Sequence, residues 1–66
     1  MYLVLLRLVS GERIPIEGTA TREDAEELAR NTAHRFGSTT EWPLVGSRCI
    51  RPDAVVSVDI ERQLDG

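Results

Sequence analysis

The chain has 66 residues, with eight basic and eleven acidic side chains, a net charge of −3 and an apolar content of 41%. This length excludes a second domain, so we expect residues 1–66 to form one small domain, and the acidic balance argues against general nucleic-acid binding. Cys49 is the only cysteine, which excludes an internal disulfide, and the single histidine and cysteine lack paired spacing, so neither a metal nor a cofactor is predicted.

The first predicted strand covers residues 2–9, YLVLLRLV, where Arg7 is the only interruption of an apolar run. This run is too short to span a membrane and has no positive region before it, so no membrane association is expected. The unpaired cysteine is typical of a reducing compartment, which predicts a cytoplasmic protein. A strand with only one buried face should alternate apolar and polar residues, and this one does not.

A glycine-centred turn follows, and residues 12–17 are predicted as the second strand of a hairpin. Ile14 and Ile16 lie on one face of this strand, and Arg13, Pro15 and Glu17 lie on the other. Pro15 has no backbone N–H to donate, so this strand is expected at an edge of the sheet.

The clearest helix pattern covers about residues 22–36. Thr21 followed by Asp24 resembles a capping box, and acidic residues crowd the first turns, where the helix dipole favours them. An alanine-rich stripe recurs at three- and four-residue steps and indicates a helix that packs closely on a sheet. Gly37 is predicted to end the helix in a left-handed conformation.

Two more strands are predicted at about residues 44–51 and 54–61, with a turn at Pro52 between them. Trp42 lies in the loop before them, where it either covers one end of the core or anchors an interface, and the first is favoured.

The element order predicts an α+β fold, ββαββ, in which a four-stranded mixed sheet of order 2-1-4-3 carries one helix on one face. The first and last strands are placed side by side and parallel at the centre because they are the most apolar. This topology is similar to the β-grasp arrangement of ubiquitin-like proteins and of the immunoglobulin-binding domains of protein G. Tyr2 to Leu6 and Glu41-Trp42 resemble the first strand and the start of the third strand of the latter. The resemblance implies an architecture, and no binding residues are carried over from it.

The sheet face away from the helix is then partly apolar with charges around it, which is typical of a protein interface. The predicted interface residues are Leu3, Leu5, Arg7, Val9, Arg13, Val55, Asp59 and Glu61. A core of this size supplies only about 3–5 kcal/mol of net stability, so association with another subunit is the remaining source of support. We therefore expect a small non-enzymatic interaction module that forms a homodimer through this face or binds another protein.

Two alternatives remain. One alternative is the binding of a nucleic acid or an anionic ligand by arginines on the sheet, namely Arg7, Arg13, Arg48 and Arg51. Against it, no aromatic residue accompanies them for base stacking. Cys49 between two arginines predicts a reactive thiol, but a nucleophile also needs a nearby base, and His34 is the only histidine. The acidic cluster at positions 23, 24, 26 and 27 is interpreted as a solvated helix face.

Overall fold

The computed structural model describes residues 1–64, which form an α+β fold, as predicted, but with antiparallel strands where a mixed sheet was predicted. In chain order the elements are β1 (Tyr2–Leu8), β2 (Arg13–Thr19), α1 (Arg22–Ser38), β3 (Leu44–Val45), β4 (Arg48–Cys49), a 3-10 turn (Pro52–Ala54) and β5 (Val55–Arg62).

The strands form two sheets and not the single four-stranded sheet predicted from the sequence. One sheet has the order β2-β1-β5, and the other is the short hairpin β3-β4. At the centre of the larger sheet, Leu6 of β1 lies opposite Ile14 on one side and Val58 on the other. The predicted parallel pairing of the first and last strands is also wrong, because β1 and β5 are antiparallel.

Both differences have one cause, which is the turn at Gly46. Residues 44–51 were expected to cross the whole sheet, but the chain reverses at Gly46, which adopts a left-handed φ of 63° that favours glycine. Because residues 44–51 do not cross the sheet, the chain enters β5 at the end of the sheet opposite to the one predicted. Val55 therefore lies opposite Leu8, and the direction of β5 is inverted. A β-grasp fold needs the parallel central pair, so the resemblance does not extend to this topology.

The helix begins at Arg22, as its sequence predicts, and ends at Ser38, two residues beyond the predicted end. The side-chain oxygen of Thr21 accepts a hydrogen bond from the backbone N–H of Asp24 at 3.1 Å, which satisfies one of the free amides of the first turn. Gly37 does not adopt a left-handed conformation, and the helix continues to Ser38. The Ser38 hydroxyl donates to the carbonyl of His34 at 2.7 Å and so satisfies a group of the last turn.

The main core cluster lies between α1, the sheet and the β3-β4 hairpin. Its buried members are Leu6, Leu8, Phe36 and Ile50, with Ile14, Ile16, Val45, Val55 and Val58 packed around them. Residues 44–51 thus contribute Val45 and Ile50 to this cluster, without joining the larger sheet.

A β-bulge in β5 changes which of its residues face the core. Ser57 lies opposite Arg7 and Val55 lies opposite Leu8, so Val56 has no partner of its own. One extra residue reverses the alternation of a strand beyond it. Val55 consequently packs against the core although it was predicted on the open face, whereas Val56 is 62% exposed although it was predicted in the core.

We expect Leu6→Ala to lower the free energy of unfolding by about 2–5 kcal/mol, because the Leu6 side chain is fully buried and its truncation leaves a cavity. The measurement is urea unfolding followed by circular dichroism. Leu64→Ala removes the same atoms from a side chain that is 79% exposed, and it should change the free energy by less than about 0.5 kcal/mol. Equal effects of the two variants would contradict this description of the core.

Candidate functional site

The open face of the sheet, which points away from α1, is centred on Leu5. The register places Leu5 opposite Pro15 of β2 and opposite Asp59 of β5. Further along β1, Arg7 lies opposite Arg13 and Ser57, and Leu3 lies opposite Glu61. Side chains directly opposite one another in an antiparallel pair share a face, so these residues form one surface.

Leu5 is covered on this open face by an ion pair. The Arg13 guanidinium binds the Glu61 carboxylate, and these residues lie on the two outer strands, so a line between them crosses β1 at Leu5. Leu5 is only 3% exposed. Long charged side chains often cover apolar surface in this way. The centre of the second face of β1 is thus buried within the molecule, whereas Leu3 is half-buried and Arg7 is exposed.

The structure distributes the predicted interface residues over several environments. Leu3, Asp59 and Glu61 are half-buried, and Arg7, Arg13 and Val9 are exposed. Val9 lies beyond the end of β1, and its backbone N–H donates to the carbonyl of Ala54 at 2.8 Å. Val55 packs against the core on the other side of the sheet. The structure therefore brings most of this set together, but the exposed members are mainly charged.

Three of the four arginines considered for anion binding are paired with carboxylates. Arg48 forms two hydrogen bonds to Glu12, at 2.5 and 3.1 Å, and Arg51 forms two to Asp53, at 2.8 and 3.1 Å. Arg13 pairs with Glu61. Within residues 1–64 only Arg7 of these four has no carboxylate within 4 Å. Neutralised arginines do not provide the positive surface that a polyanion requires.

The candidate thiol and base lie on different elements. Cys49 is exposed in β4. His34 follows the fully buried Ala25 by nine residues of α1, about two and a half turns, so its imidazole points away from the sheet. The geometry therefore does not bring Cys49 and His34 together.

Trp42 is more exposed than its predicted role in covering the core would suggest. Its exposed fraction is 56%, and the guanidinium carbon of Arg51 lies 5.9 Å from the centre of its ring. This distance is typical of a cation–π contact. Because Arg51 is also held by Asp53, the ring lies against a fixed cation at the surface.

An apolar groove runs between α1 and β5, and we call it the β5 groove. Its lining residues are Ala33, Phe36, Gly37, Pro52, Val55, Val56, Ser57 and Val58. Its volume is about 190 Å³. Small-molecule pockets usually measure about 300–1,000 Å³, so this groove is better matched to a few side chains of another protein.

The outer edge of β5 borders this groove and has no strand beside it among residues 1–64. Gln63 donates its backbone N–H to the carbonyl of Met1, so its backbone polar groups point toward β1. The direction of these groups alternates along a strand. Val58, Ile60 and Arg62 therefore direct their backbone N–H and C=O groups outward.

The opposite edge of the sheet is protected against strand addition. Pro15 in β2 cannot donate a backbone hydrogen bond, and the register shift next to it leaves Ile16 as an extra residue. Prolines and bulges of this kind discourage a further strand from pairing. The bulge in β5 lies only at its first end, so residues 57–62 form a regular edge.

Sequence reasoning did not identify the β5 groove. One signal for it was present, because Ala29, Ala33 and Gly37 recur at four-residue steps and place small side chains on one flank of α1. The sequence alone did not show that β5 would lie beside that flank.

A scan against protein-family models, a search of curated proteins and a search of solved structures each gave no match to the chain. The one helix of residues 1–64 is not long and apolar enough to cross a membrane. Those residues also contain no group of three or more histidine, cysteine, aspartate or glutamate side chains arranged to hold a metal ion.

We expect Leu5→Glu to unfold the chain, because it would bury a carboxylate at a position that is 3% exposed and directly opposite Asp59. Far-UV circular dichroism provides the measurement. Val9→Glu places the same charge at a position that is 75% exposed, and this variant should stay folded. A folded Leu5→Glu protein would show that the ion pair does not cover Leu5.

The ion pair between Glu12 and Arg48 should lower the pKa of the Glu12 carboxyl. Hydrogen bonds from Arg48, assisted by its charge, hold the pKa of the Glu12 carboxyl below its ordinary value of 4.5. Stability from a lowered carboxyl pKa is present above the unfolded value and is lost as the pH falls through the folded value. The stability advantage of wild type over Arg48→Met should therefore shrink as the pH falls below 4.5.

Carboxyl carbon NMR measures this titration directly. In wild type the Glu12 midpoint should lie below 4.5, and in Arg48→Met it should rise toward 4.5. Arg35→Met removes an exposed helix arginine and should leave the Glu12 midpoint unchanged. An identical Glu12 midpoint in wild type and Arg48→Met would refute the pairing in solution.

Proposed function

We propose that the chain is a non-enzymatic protein-interaction module that self-associates through its three-stranded sheet, and that the contact lies at the outer edge of β5. The observation that carries this proposal is the regular, unpaired edge of residues 57–62 beside an apolar groove. Such an edge is a template for another strand, and natural monomers usually protect it. Here the protection is found on β2, at the other edge of the sheet.

The groove supports the same location. In strand addition, backbone hydrogen bonds provide affinity and side-chain pockets provide specificity. The edge of β5 offers the hydrogen-bonding groups, and the β5 groove offers apolar surface from Phe36, Val55 and Val58. Val56 is a large apolar residue of this groove that is 62% exposed, and it would be covered by an added strand.

The open face provides less support for self-association than the sequence suggested. Its central apolar residue, Leu5, is already covered, and its exposed residues Arg7 and Arg13 are charged. Interface centres are depleted of charged residues. We therefore place the contact at the edge of the sheet, and we also propose a cytoplasmic location, where the exposed thiol of Cys49 would remain reduced.

The test compares Val56→Lys with Val9→Lys by light scattering after size exclusion, over a wide concentration range. The two positions are 62% and 75% exposed, so both variants should fold. Wild type should be a dimer at high concentration. A lysine at position 56 would place a charge in the apolar contact, and we expect its dissociation constant to rise by tenfold or more, which corresponds to about 1.4 kcal/mol.

Val9→Lys should dimerise like wild type, because position 9 follows the central strand β1 and lies on the inner side of β5, away from its outer edge. A wild-type monomer at every concentration would overturn self-association. Dissociation by Val9→Lys but not by Val56→Lys would place the contact away from the β5 edge.

A further inference from the structure

We propose that a cleft beside Trp42 binds a small, uncharged, planar nitrogen heterocycle of the purine type, which stacks on the indole ring. The cleft lies between the loop that follows α1 and the 3-10 turn, and we call it the Trp42 cleft. Its lining residues are Thr39, Thr40, Trp42, Arg51, Pro52 and Asp53. None of them belongs to β5, so the site is independent of the proposed self-association.

The size of the Trp42 cleft suits a small molecule. Its volume is about 390 Å³. This value falls within the range of about 300–1,000 Å³ that is usual for small-molecule pockets, whereas the volume of the β5 groove lies below it. A ligand of one or two fused rings can therefore be accommodated beside Trp42.

The backbone holds Trp42 and Arg51 next to each other. Ile50 donates its backbone N–H to the carbonyl of Pro43 at 3.0 Å, and both of these residues are buried. Trp42 directly precedes one end of this hydrogen bond, and Arg51 directly follows the other. The 3-10 turn begins there, and the Ala54 N–H donates to the carbonyl of Arg51 at 3.0 Å. The two side chains thus project from ordered parts of the chain.

An ion pair fixes the cation that lies over the indole ring. The guanidinium carbon of Arg51 lies 5.9 Å from the ring centre, and Asp53 accepts two hydrogen bonds from this guanidinium at 2.8 and 3.1 Å. Trp42 is still 56% exposed, so much of its ring remains open to a ligand. A surface that is ordered before binding loses less conformational entropy when a ligand arrives. The aromatic residue that the sequence did not place beside the arginines is thus present beside Arg51.

The charge and hydrogen-bonding groups of the cleft favour an uncharged ligand with N–H donors. Arg51 and Asp53 are the only charged residues of the lining, and they neutralise each other. Each Asp53 carboxylate oxygen accepts one hydrogen bond from Arg51 and has a lone pair for another. The Thr39 hydroxyl accepts from the backbone N–H of Glu41 at 3.0 Å and keeps its own proton to donate. The amino group and ring nitrogens of a purine match these acceptors and donors.

Trp42 fluorescence tests binding directly, because Trp42 is the only tryptophan of the chain. The probe is adenosine, which is uncharged at neutral pH and carries an amino group. We expect a saturable change in emission with a dissociation constant of about 1 mM or lower. Nitrogen-15 NMR should place the largest shifts at the Trp42 indole N–H and at the backbone amides of Thr40 and Asp53. A change without saturation, or shifts centred elsewhere, would overturn the site.

The variant Trp42→Leu tests stacking, with Leu44→Ala as the matched control at a neighbouring position that is 58% exposed. Both changes are at exposed positions, and circular dichroism checks that both proteins are folded. Binding is followed by the NMR shift of the Asp53 amide, because Trp42→Leu has no indole emission. We expect Trp42→Leu to weaken adenosine binding by about 5- to 150-fold, the effect of losing one stacked base, and Leu44→Ala to leave it unchanged. Equal affinities of the two variants would show that the ring is not the binding surface.

Three further probes identify the class of ligand. Adenosine monophosphate should bind within about threefold of adenosine, because the arginine of the cleft is already neutralised. Binding of the monophosphate that is tenfold tighter would overturn the uncharged ligand and indicate an anion site. N6,N6-dimethyladenosine lacks the amino donors and should bind more weakly than adenosine. N-acetylphenylalanine amide represents an aromatic side chain of another protein, and its tighter binding would overturn the heterocycle in favour of a protein partner.

Discussion

The structure depends on the burial of both faces at the centre of β1, which among residues 1–64 is the strand of the larger sheet that is paired on both sides. On one face, Val4 and Leu6 are fully buried beneath α1, and Leu8 joins the main core cluster. On the other, Leu5 is covered by an ion pair between the two outer strands. The continuous apolar run of this strand is therefore explained without a partner, although one of its two covers consists of charged side chains. An exposed ion pair of this kind contributes only about 0.2–1 kcal/mol to stability.

The turn at Gly46 has consequences well beyond the hairpin it closes. Because residues 44–51 reverse there, no fourth strand among residues 1–64 covers β5 on its outer side. The same reversal directs β5 antiparallel to β1 and places its first residues beside the last turns of α1. The unpaired edge and the β5 groove thus both result from the failure of residues 44–51 to cross the larger sheet. In the topology predicted from the sequence, β5 would have been central, and neither feature would exist.

The parts of the fold that depend on local chemistry were predictable. The hairpin of β1 and β2, the start of α1 at Thr21 and the α+β class all follow from patterns within about 20 residues. The sheet topology was not predictable in this way, because Gly46 suits both a weak strand and a tight turn, and long-range packing decides between them. The bulge at Val56 left no trace in the alternation of residues 54–61. A shift of one residue there exchanged the surroundings of Val55 and Val56, so the candidate surface moved from the open face to the edge.

The bulge at Val56 connects the stability of the small core with the proposed dimer. If β5 alternated regularly, Val56 would face α1, and Val55 would lie on the open face. The extra residue instead lets Val55 complete the core beside Leu8, while Val56 moves to the groove. One apolar side chain is thus left exposed at the strand edge whose backbone groups are also free. The addition of a strand to β5 would remove both kinds of unsatisfied surface at once. A core of this size rarely supplies more than about 3–5 kcal/mol, and that coincidence is the strongest physical reason to expect a partner strand there.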